Sequence, residues 1–174
     1  MYLQIELSPE DRKYFRFLWR NSDEKEPEVY EFNRLVFGFS ACPFLAQLVA
    51  RENATEHKEE FPSGSEAVLE STFMDDTLDS AENDAAGIQM YTELKKLWGR
   101  AGMRPQKWLS NSGTVLQRIP KEEHAASVDL ENDLPNSKTL GVTWSAQEDS
   151  FTFSSQTPQN LHEKNFSLLD GCGV

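Results

Sequence analysis

Hydrophobic and polar residues follow two different periods along the chain, and the first of these predicts strands. The opening MYLQIEL alternates Leu3, Ile5 and Leu7 with more polar positions, which is typical of a strand with one buried face. YFRFLWR (14–20) and VYEFNRLVF (29–37) are rich in aromatic and β-branched residues, and the polar NSDEKEPE between them predicts a hairpin loop. We therefore expect antiparallel pairing in this part of the chain.

The second period is helical and appears twice. Gly38 should break the preceding strand, and Pro43 is placed for the first turn of a helix. The apolar residues that then share one helical face are Phe44, Leu45, Leu48 and Val49. Asn83 can cap a second helix, which Gly102 and Pro105 should end. Its expected buried face consists of Met90, Leu94, Leu97, Trp98 and Ala101.

The remaining apolar stretches predict short strands. AVLESTFM (67–74) is expected to be a strand, with TLDS (77–80) returning as the second arm of a hairpin. TLGVTWS (139–145) and FTF (151–153) predict closing strands that turn at AQED. The predicted fold class is α+β, an antiparallel sheet with helices packed on one face.

Composition narrows the class of protein. The chain is 38% hydrophobic and contains no run of 18 apolar residues, so we expect an intracellular protein, cytoplasmic or nuclear, without a membrane partner. The net charge of -12 weighs against a nucleic-acid partner, because phosphate binding normally requires a basic surface. The cysteines and histidines lack metal-ligand spacing, so neither a zinc site nor a disulfide framework is predicted. They are Cys42, Cys172, His57, His124 and His162.

Asp75 and Asp76 form an adjacent acidic pair between the two arms of the predicted hairpin. One interpretation is a solvated turn, because aspartate tolerates tight-turn backbone angles. The other is a divalent cation site, because Mg²⁺ prefers hard oxygen ligands and is often held by one or two carboxylates. The acidic pair alone leaves both interpretations open.

Four longer stretches, in this order along the chain, resemble the reverse transcriptase palm region of Pao/BEL-type LTR retrotransposon polyproteins. They are VYEFNRLVFGFSACPFLAQ, STFMDDTLDS, ELKKLWGRAGMRPQKWLSNS and KTLGVTWSAQEDSFTF. The resemblance covers residues 1–154, and residues 155–174 are expected to be a divergent, poorly ordered tail. It implies an RNA-directed DNA polymerase palm that acts on an RNA or DNA template-primer and deoxynucleoside triphosphates with Mg²⁺, or with Mn²⁺ in its place.

The resemblance also implies roles for individual residues. Asp75 and Asp76 would be the catalytic metal ligands, and Asp75 is expected to dominate because adjacent strand residues point to opposite faces. Tyr2, Phe37, Gly38 and Lys107 match nucleotide-binding positions, and Leu140 and Gly141 match the primer grip. For each of these there is a simpler structural interpretation: a strand aromatic for Tyr2, a strand-to-helix turn for Phe37 and Gly38, an exposed lysine for Lys107, and an ordinary strand turn for Leu140 and Gly141.

The family pattern includes a first metal-binding aspartate that would lie just before Met1, and fingers, thumb and RNase H domains beyond these residues. We therefore expect an N-terminally truncated palm that is inactive as an isolated chain. Two alternatives remain open: a non-catalytic acidic interaction protein on a decayed palm scaffold, and, more distantly, a Mg²⁺-dependent hydrolase that uses Asp75, Asp76 and Asp79.

Overall fold

The computed structural model describes residues 1–22, 26–125, 136–139 and 142–153, with residues 136–139 described by their backbone alone. The chain divides into two compact units, Met1–Ala126 and Ser127–Val174. The predicted primer-grip residues Leu140 and Gly141 and the predicted tail lie outside the described residues. No helix in the described part of the chain has the length and apolar character needed to cross a membrane.

The first unit contains a two-stranded antiparallel sheet, as the sequence predicts. Strands β1 (Arg16–Trp19) and β2 (Glu28–Glu31) pair with Phe17 opposite Tyr30. The Phe17 ring stacks on the rings of Tyr30 and Phe32, with centroid distances of 5.8 and 4.5 Å. Cross-strand aromatic contacts of this kind stabilise a hairpin.

Four helices and a small hairpin follow. Helices α1 (Cys42–Glu56), α2 (Pro62–Glu70), α3 (Asp84–Arg100) and α4 (Gly113–Arg118) alternate with loops. Strands β3 (Thr72–Phe73) and β4 (Asp76–Thr77) form the hairpin between α2 and α3. Asn83 caps α3 by accepting a hydrogen bond from the Ala86 N–H at 3.0 Å, as predicted.

Helix α1 buries a different face from the one predicted. Its buried residues are Cys42, Ala46, Ala50 and Ala54. Phe44 and Leu48, from the expected face, are 68% and 48% exposed. Small side chains at every fourth position let neighbouring elements approach this helix closely, so packing overrides the apolar pattern.

Helix α3 buries the face that the sequence predicts. Leu94, Leu97 and Trp98 are all buried, and Met90 and Ala101 pack against the same core cluster. The cluster also contains residues from α1 and α2, including Ala54 and Val68. These three helices therefore share one core, and Gly102 ends α3 with a φ of 68°, as expected for a left-handed helix terminus.

The second unit contains a three-stranded antiparallel sheet. Strands β5 (Asn136–Thr139), β6 (Val142–Ser145) and β7 (Ser150–Thr152) pair in chain order. The turn between β6 and β7 includes Asp149, which has a φ of 48° and accepts a hydrogen bond from the indole of Trp144 at 3.1 Å. This turn confirms the predicted closing hairpin.

Three predictions about strands need correction. The α+β class is confirmed, but the described residues form three small sheets of two, two and three strands instead of one larger sheet. Tyr2–Gln4 is a 3₁₀ helix, and only Glu6 bridges to Arg34 in that segment. The sequence AVLESTFM is helical through Glu70, because Pro62 begins α2 and α2 then packs on α3. Helix α4 was not predicted.

Candidate functional site

The β3–β4 hairpin places the two candidate aspartates at an exposed turn. Phe73 pairs with Asp76, so Met74 and Asp75 form the two-residue loop. Both aspartates are exposed to solvent. Met74 has a φ of 57°, a left-handed conformation that is uncommon for a residue with a side chain. The turn is therefore tight, and it presents two carboxylates at adjacent positions.

Side chains of α1 hold this hairpin in place. The amide of Gln47 donates a hydrogen bond to the Met74 carbonyl at 2.7 Å. One turn further along, Arg51 donates to the Leu69 carbonyl at 2.6 Å, where α2 leads into the hairpin. Within the hairpin, the Thr72 and Thr77 hydroxyls lie 2.8 Å apart in a hydrogen bond. The position of the acidic turn is thus coupled to α1.

A second group of predicted residues lies immediately before α1. The rings of Tyr2 and Phe37 are in contact, with centroids 4.3 Å apart and planes tilted by 36°. Phe37 is 74% exposed. Gly38 has a φ of 103°, and no atom lies within 4 Å of the position that a Cβ would occupy. The glycine is therefore required by its backbone angle, and its surroundings leave room for close approach of another molecule.

Helix α1 connects these two groups. Gly38 lies just before the helix start at Cys42, and Gln47 lies about 8 Å further along the helix axis at 1.5 Å per residue. Among the described residues, no hydrogen bond, ion pair or ring contact joins Asp75 or Asp76 directly to Tyr2, Phe37 or Gly38. The structure therefore brings Tyr2 and Phe37 into contact, and within its described part it places neither aspartate in hydrogen-bond, ion-pair or ring contact with them.

Lys107 lies in the segment that follows α3, and it also has a left-handed backbone, with a φ of 63°. Its side chain is exposed and makes no hydrogen bond or ion pair with the described residues. Met74, Lys107 and Asp149 are the non-glycine residues with positive φ in the described chain. Met74 directly precedes the predicted site residue Asp75, and Lys107 is itself a predicted site residue. Strained backbone is often concentrated at functional sites.

The donor set at the hairpin fits one mode of Mg²⁺ binding. Mg²⁺ is commonly held by one or two carboxylates, with waters and substrate phosphates completing its octahedral shell. Asp75 and Asp76 provide that number of carboxylates. No group of three or more metal-ligating side chains suited to a metal ion occurs among the described residues. Two carboxylates alone do not complete such a shell, so any cation held at this hairpin would need further ligands such as substrate phosphates.

Asp79, the third acid of the hydrolase alternative, lies three residues beyond Asp76. It lines a cavity of about 460 Å³ between α2 and the start of α3. The other acidic residues of this cavity are Glu66, Glu70 and Glu82, while Asp75 and Asp76 do not line it. Among the described residues, no three metal-ligating side chains are arranged to hold an ion, so the structure does not assemble Asp75, Asp76 and Asp79, the set that a hydrolase would use, into a metal site.

A hydrogen-bonded network on α3 was not predicted from the sequence. The Tyr91 hydroxyl donates to the Glu123 carboxylate at 2.8 Å, and the Lys95 ammonium donates to the other carboxylate oxygen at 2.5 Å. The hydrogen bond from Lys95 lowers the pKa of Glu123, and the bond to Glu123 raises the pKa of Lys95. Burial, followed by the Glu123 hydrogen bond, raises the pKa of Tyr91.

Glu123 lies 32 residues after Tyr91 and 28 residues after Lys95 in the sequence, so no local motif indicates the network. The helical spacing of Tyr91 and Lys95 places them on one face of α3, which is the one signal that the sequence carries. Their partner Glu123 lies in a polar region for which the sequence predicted no structure.

Comparison of the chain with protein-family models, with curated proteins and with solved structures gives no match.

Proposed function

We propose that this chain is the palm region of a retrotransposon reverse transcriptase, an RNA-directed DNA polymerase of the Pao/BEL type. The observation that supports this proposal best is the hairpin turn, which exposes Asp75 and Asp76 and is fastened through Gln47 to the helix that follows Gly38. A simple two-residue hairpin turn would also explain the exposed acids and the positive φ of Met74, so the support beyond it is the Gln47 hydrogen bond that ties the turn to α1. The sequence resemblance and this geometry favour the same residues.

In the proposed reaction, the primer 3′-hydroxyl attacks the α-phosphorus of an incoming deoxynucleoside triphosphate, and pyrophosphate leaves. Bound Mg²⁺ would supply charge neutralisation on the phosphates and activation of the hydroxyl. Asp75 and Asp76 would hold this cation at the hairpin, with Asp75 as the principal ligand. The Tyr2 and Phe37 rings provide an apolar surface for the nucleoside.

Gly38 and Lys107 complete the proposed nucleotide site. The absence of a Cβ at Gly38 permits close approach of the nucleotide to the backbone, and the space around that position is open. The exposed ammonium of Lys107 can neutralise the triphosphate and donate a proton to the leaving pyrophosphate. The support for these two roles is the sequence resemblance together with the exposure of both residues to solvent.

The geometry also agrees with a second function, a non-catalytic acidic interaction protein. Its support is the net charge of -12 together with the exposed side chains of Phe44 and Phe73.

Equilibrium binding of a deoxynucleoside triphosphate, with and without Mg²⁺, distinguishes these functions. The polymerase proposal predicts saturable binding that requires Mg²⁺ and is lost in the double variant Asp75→Asn, Asp76→Asn. The matched control is Glu66→Gln, Glu70→Gln, which removes two charges from the separate acidic cavity and should bind normally. Binding that is absent from the folded wild-type chain, or unchanged in the Asp75/Asp76 variant, would contradict the proposal and favour the interaction protein.

A further inference from the structure

The segment between α3 and α4 is anchored at both ends, and Lys107 lies next to one anchor. At the first anchor, buried Met103 donates its N–H to the Trp98 carbonyl at 2.9 Å. At the second, the Trp108 N–H donates to the Glu123 carbonyl, and the Ala125 N–H donates to the Trp108 carbonyl, both at 2.9 Å. The four residues between Met103 and Trp108 must therefore span two fixed points, with Pro105 restricting the path.

Side chains hold the second anchor against α3. The Trp108 ring packs edge-on against the Tyr91 ring, with centroids 4.8 Å apart. The hydroxyl of the same tyrosine donates to Glu123, whose carboxylate also accepts from Lys95. Glu123 thus contacts α3 through its side chain and Trp108 through its backbone. We call Tyr91, Lys95, Trp108 and Glu123 the α3 latch.

We propose that the α3 latch positions Lys107, with Tyr91 and Glu123 as positioning residues that hold its backbone in the left-handed conformation. A left-handed lysine is unfavourable in isolation, so it persists only where the surrounding structure imposes it. The latch fixes the residue that follows Lys107, while its side chain remains exposed and unpaired among the described residues. The further statement that Lys107 contacts a nucleoside triphosphate depends on the proposed function.

The latch can be tested by NMR on the full chain, independently of any ligand. Glu123→Ala removes the carboxylate, and we expect hydrogen exchange of the Trp108 and Ala125 amides to accelerate by about tenfold or more, as for loss of charge-assisted hydrogen bonds. The one-bond Cα–Hα coupling of Lys107, which reports the sign of φ, should move toward the value for negative φ. Glu123→Gln keeps one acceptor oxygen and replaces the other with an amide NH2 group, so it should restore part of the protection.

Two further variants make the test specific. Tyr91→Phe keeps the ring against Trp108 but removes the hydroxyl, so it should produce a smaller change in the same direction at the same amides. Glu122→Gln is the matched control, because Glu122 is exposed and neighbours Glu123, and it should change neither amide. Unchanged exchange and unchanged Lys107 coupling in both Glu123→Ala and Tyr91→Phe, with α3 amides still protected, would overturn the proposal.

The same variants separate this inference from the proposed function. If the wild-type chain binds Mg²⁺-triphosphate, Glu123→Ala should weaken binding to about the level of Lys107→Ala. The variant that carries both substitutions should bind the triphosphate no more weakly than either single variant. Full binding by Glu123→Ala, together with a loss in Lys107→Ala, would refute positioning. If the wild-type chain binds no triphosphate, the proposed function fails, and the exchange and coupling data still decide whether the latch holds Lys107.

Discussion

Gly64 lies where α2 crosses α3 most closely, and its replacement by alanine tests the packing of the helical core. A Cβ at this position would lie 2.9 Å from the Glu93 carbonyl carbon and 2.9 Å from the Leu94 nitrogen. The Gly64 N–H also donates to the Glu93 carboxylate at 3.0 Å. Because the nearest atoms belong to the α3 backbone, a side-chain rotation cannot relieve the contact.

The cost of Gly64→Ala follows from the separation that it requires. Carbon atoms pack best at about 3.5–4.0 Å, so the helices must move apart by roughly 0.6–1 Å, which forfeits a quarter to a half of the dispersion energy at this contact. Overpacking of this kind costs about 1–3 kcal/mol. The higher helix propensity of alanine offsets up to about 1 kcal/mol. We expect a net destabilisation of about 1–2 kcal/mol.

Thermal and urea unfolding followed by circular dichroism measure this effect. At roughly 3 °C per kcal/mol for a chain of this size, Gly64→Ala should lower the Tm by about 3–6 °C. The control is Gly99→Ala, which lies on the exposed side of α3 with no atom within 4 Å of the added Cβ. It should raise stability by up to about 1 kcal/mol. A Gly64→Ala protein as stable as Gly99→Ala would refute the close crossing.

Two other predictions concern backbone strain and pH. Met74→Gly should stabilise the hairpin by about 1 kcal/mol, because glycine adopts the left-handed angle without the cost that a side chain imposes; unchanged or lower stability in urea unfolding would contradict a left-handed Met74. The lowered pKa of Glu123 means that its carboxylate stabilises the folded chain above the ordinary glutamate pKa and that this contribution is lost as pH falls through the folded-state value. The Glu123 carboxylate is faced by Tyr91 and Lys95 from α3 and by the neighbouring His124. We therefore expect the Tm difference between wild type and Glu123→Gln to shrink as the pH falls from 7 to 3. A Tm difference that grows toward acid would show that Glu123 is not ionised in the latch.

The elements that the sequence predicts well are those with a local signal. Helix α3 has an Asn83 cap, a regular apolar face and a glycine terminus, and the structure contains all three. The β1–β2 pair likewise follows from a polar segment between β-prone residues. A hairpin also forms where one was predicted, but β3 keeps only Thr72–Phe73 of the expected first arm, and β4 is Asp76–Thr77 instead of residues 77–80. In each case the information lies within one element and its immediate neighbours.

The predictions that fail are those where tertiary packing decides. The apolar side chains of α1 predicted one buried face, but the alanines at every fourth position pack inside, and Phe44 and Leu48 remain exposed. The AVLE segment reads as a strand in isolation, yet the contact of α2 with α3 keeps it helical. Periodicity cannot distinguish these cases because both faces of α1 are apolar and short apolar runs suit either structure.

In the candidate site, too, the sequence predicts the local motifs but not the contacts between residues that are distant in sequence. The adjacent aspartates and Gly38 are visible as local motifs, and the structure places the aspartates at a turn and gives Gly38 a positive φ. The Gln47 hydrogen bond that fastens the hairpin and the Glu123 latch join residues 27 to 32 positions apart. Such contacts depend on the three-dimensional path of the chain, so no local pattern predicts them.

We propose above that Asp75 and Asp76 bind a divalent cation. Paramagnetic broadening of amide NMR signals by Mn²⁺ tests this binding most directly. Mn²⁺ prefers the same oxygen ligands as Mg²⁺, and it broadens the signals of nearby nuclei. Substoichiometric Mn²⁺ in the presence of a deoxynucleoside triphosphate should broaden the amides of residues 74–77 first. The effect should disappear in Asp75→Asn, Asp76→Asn and persist in Glu66→Gln, Glu70→Gln. Broadening that begins at the Glu66 and Glu70 cavity, or that is unchanged without the two aspartates, would contradict the claim.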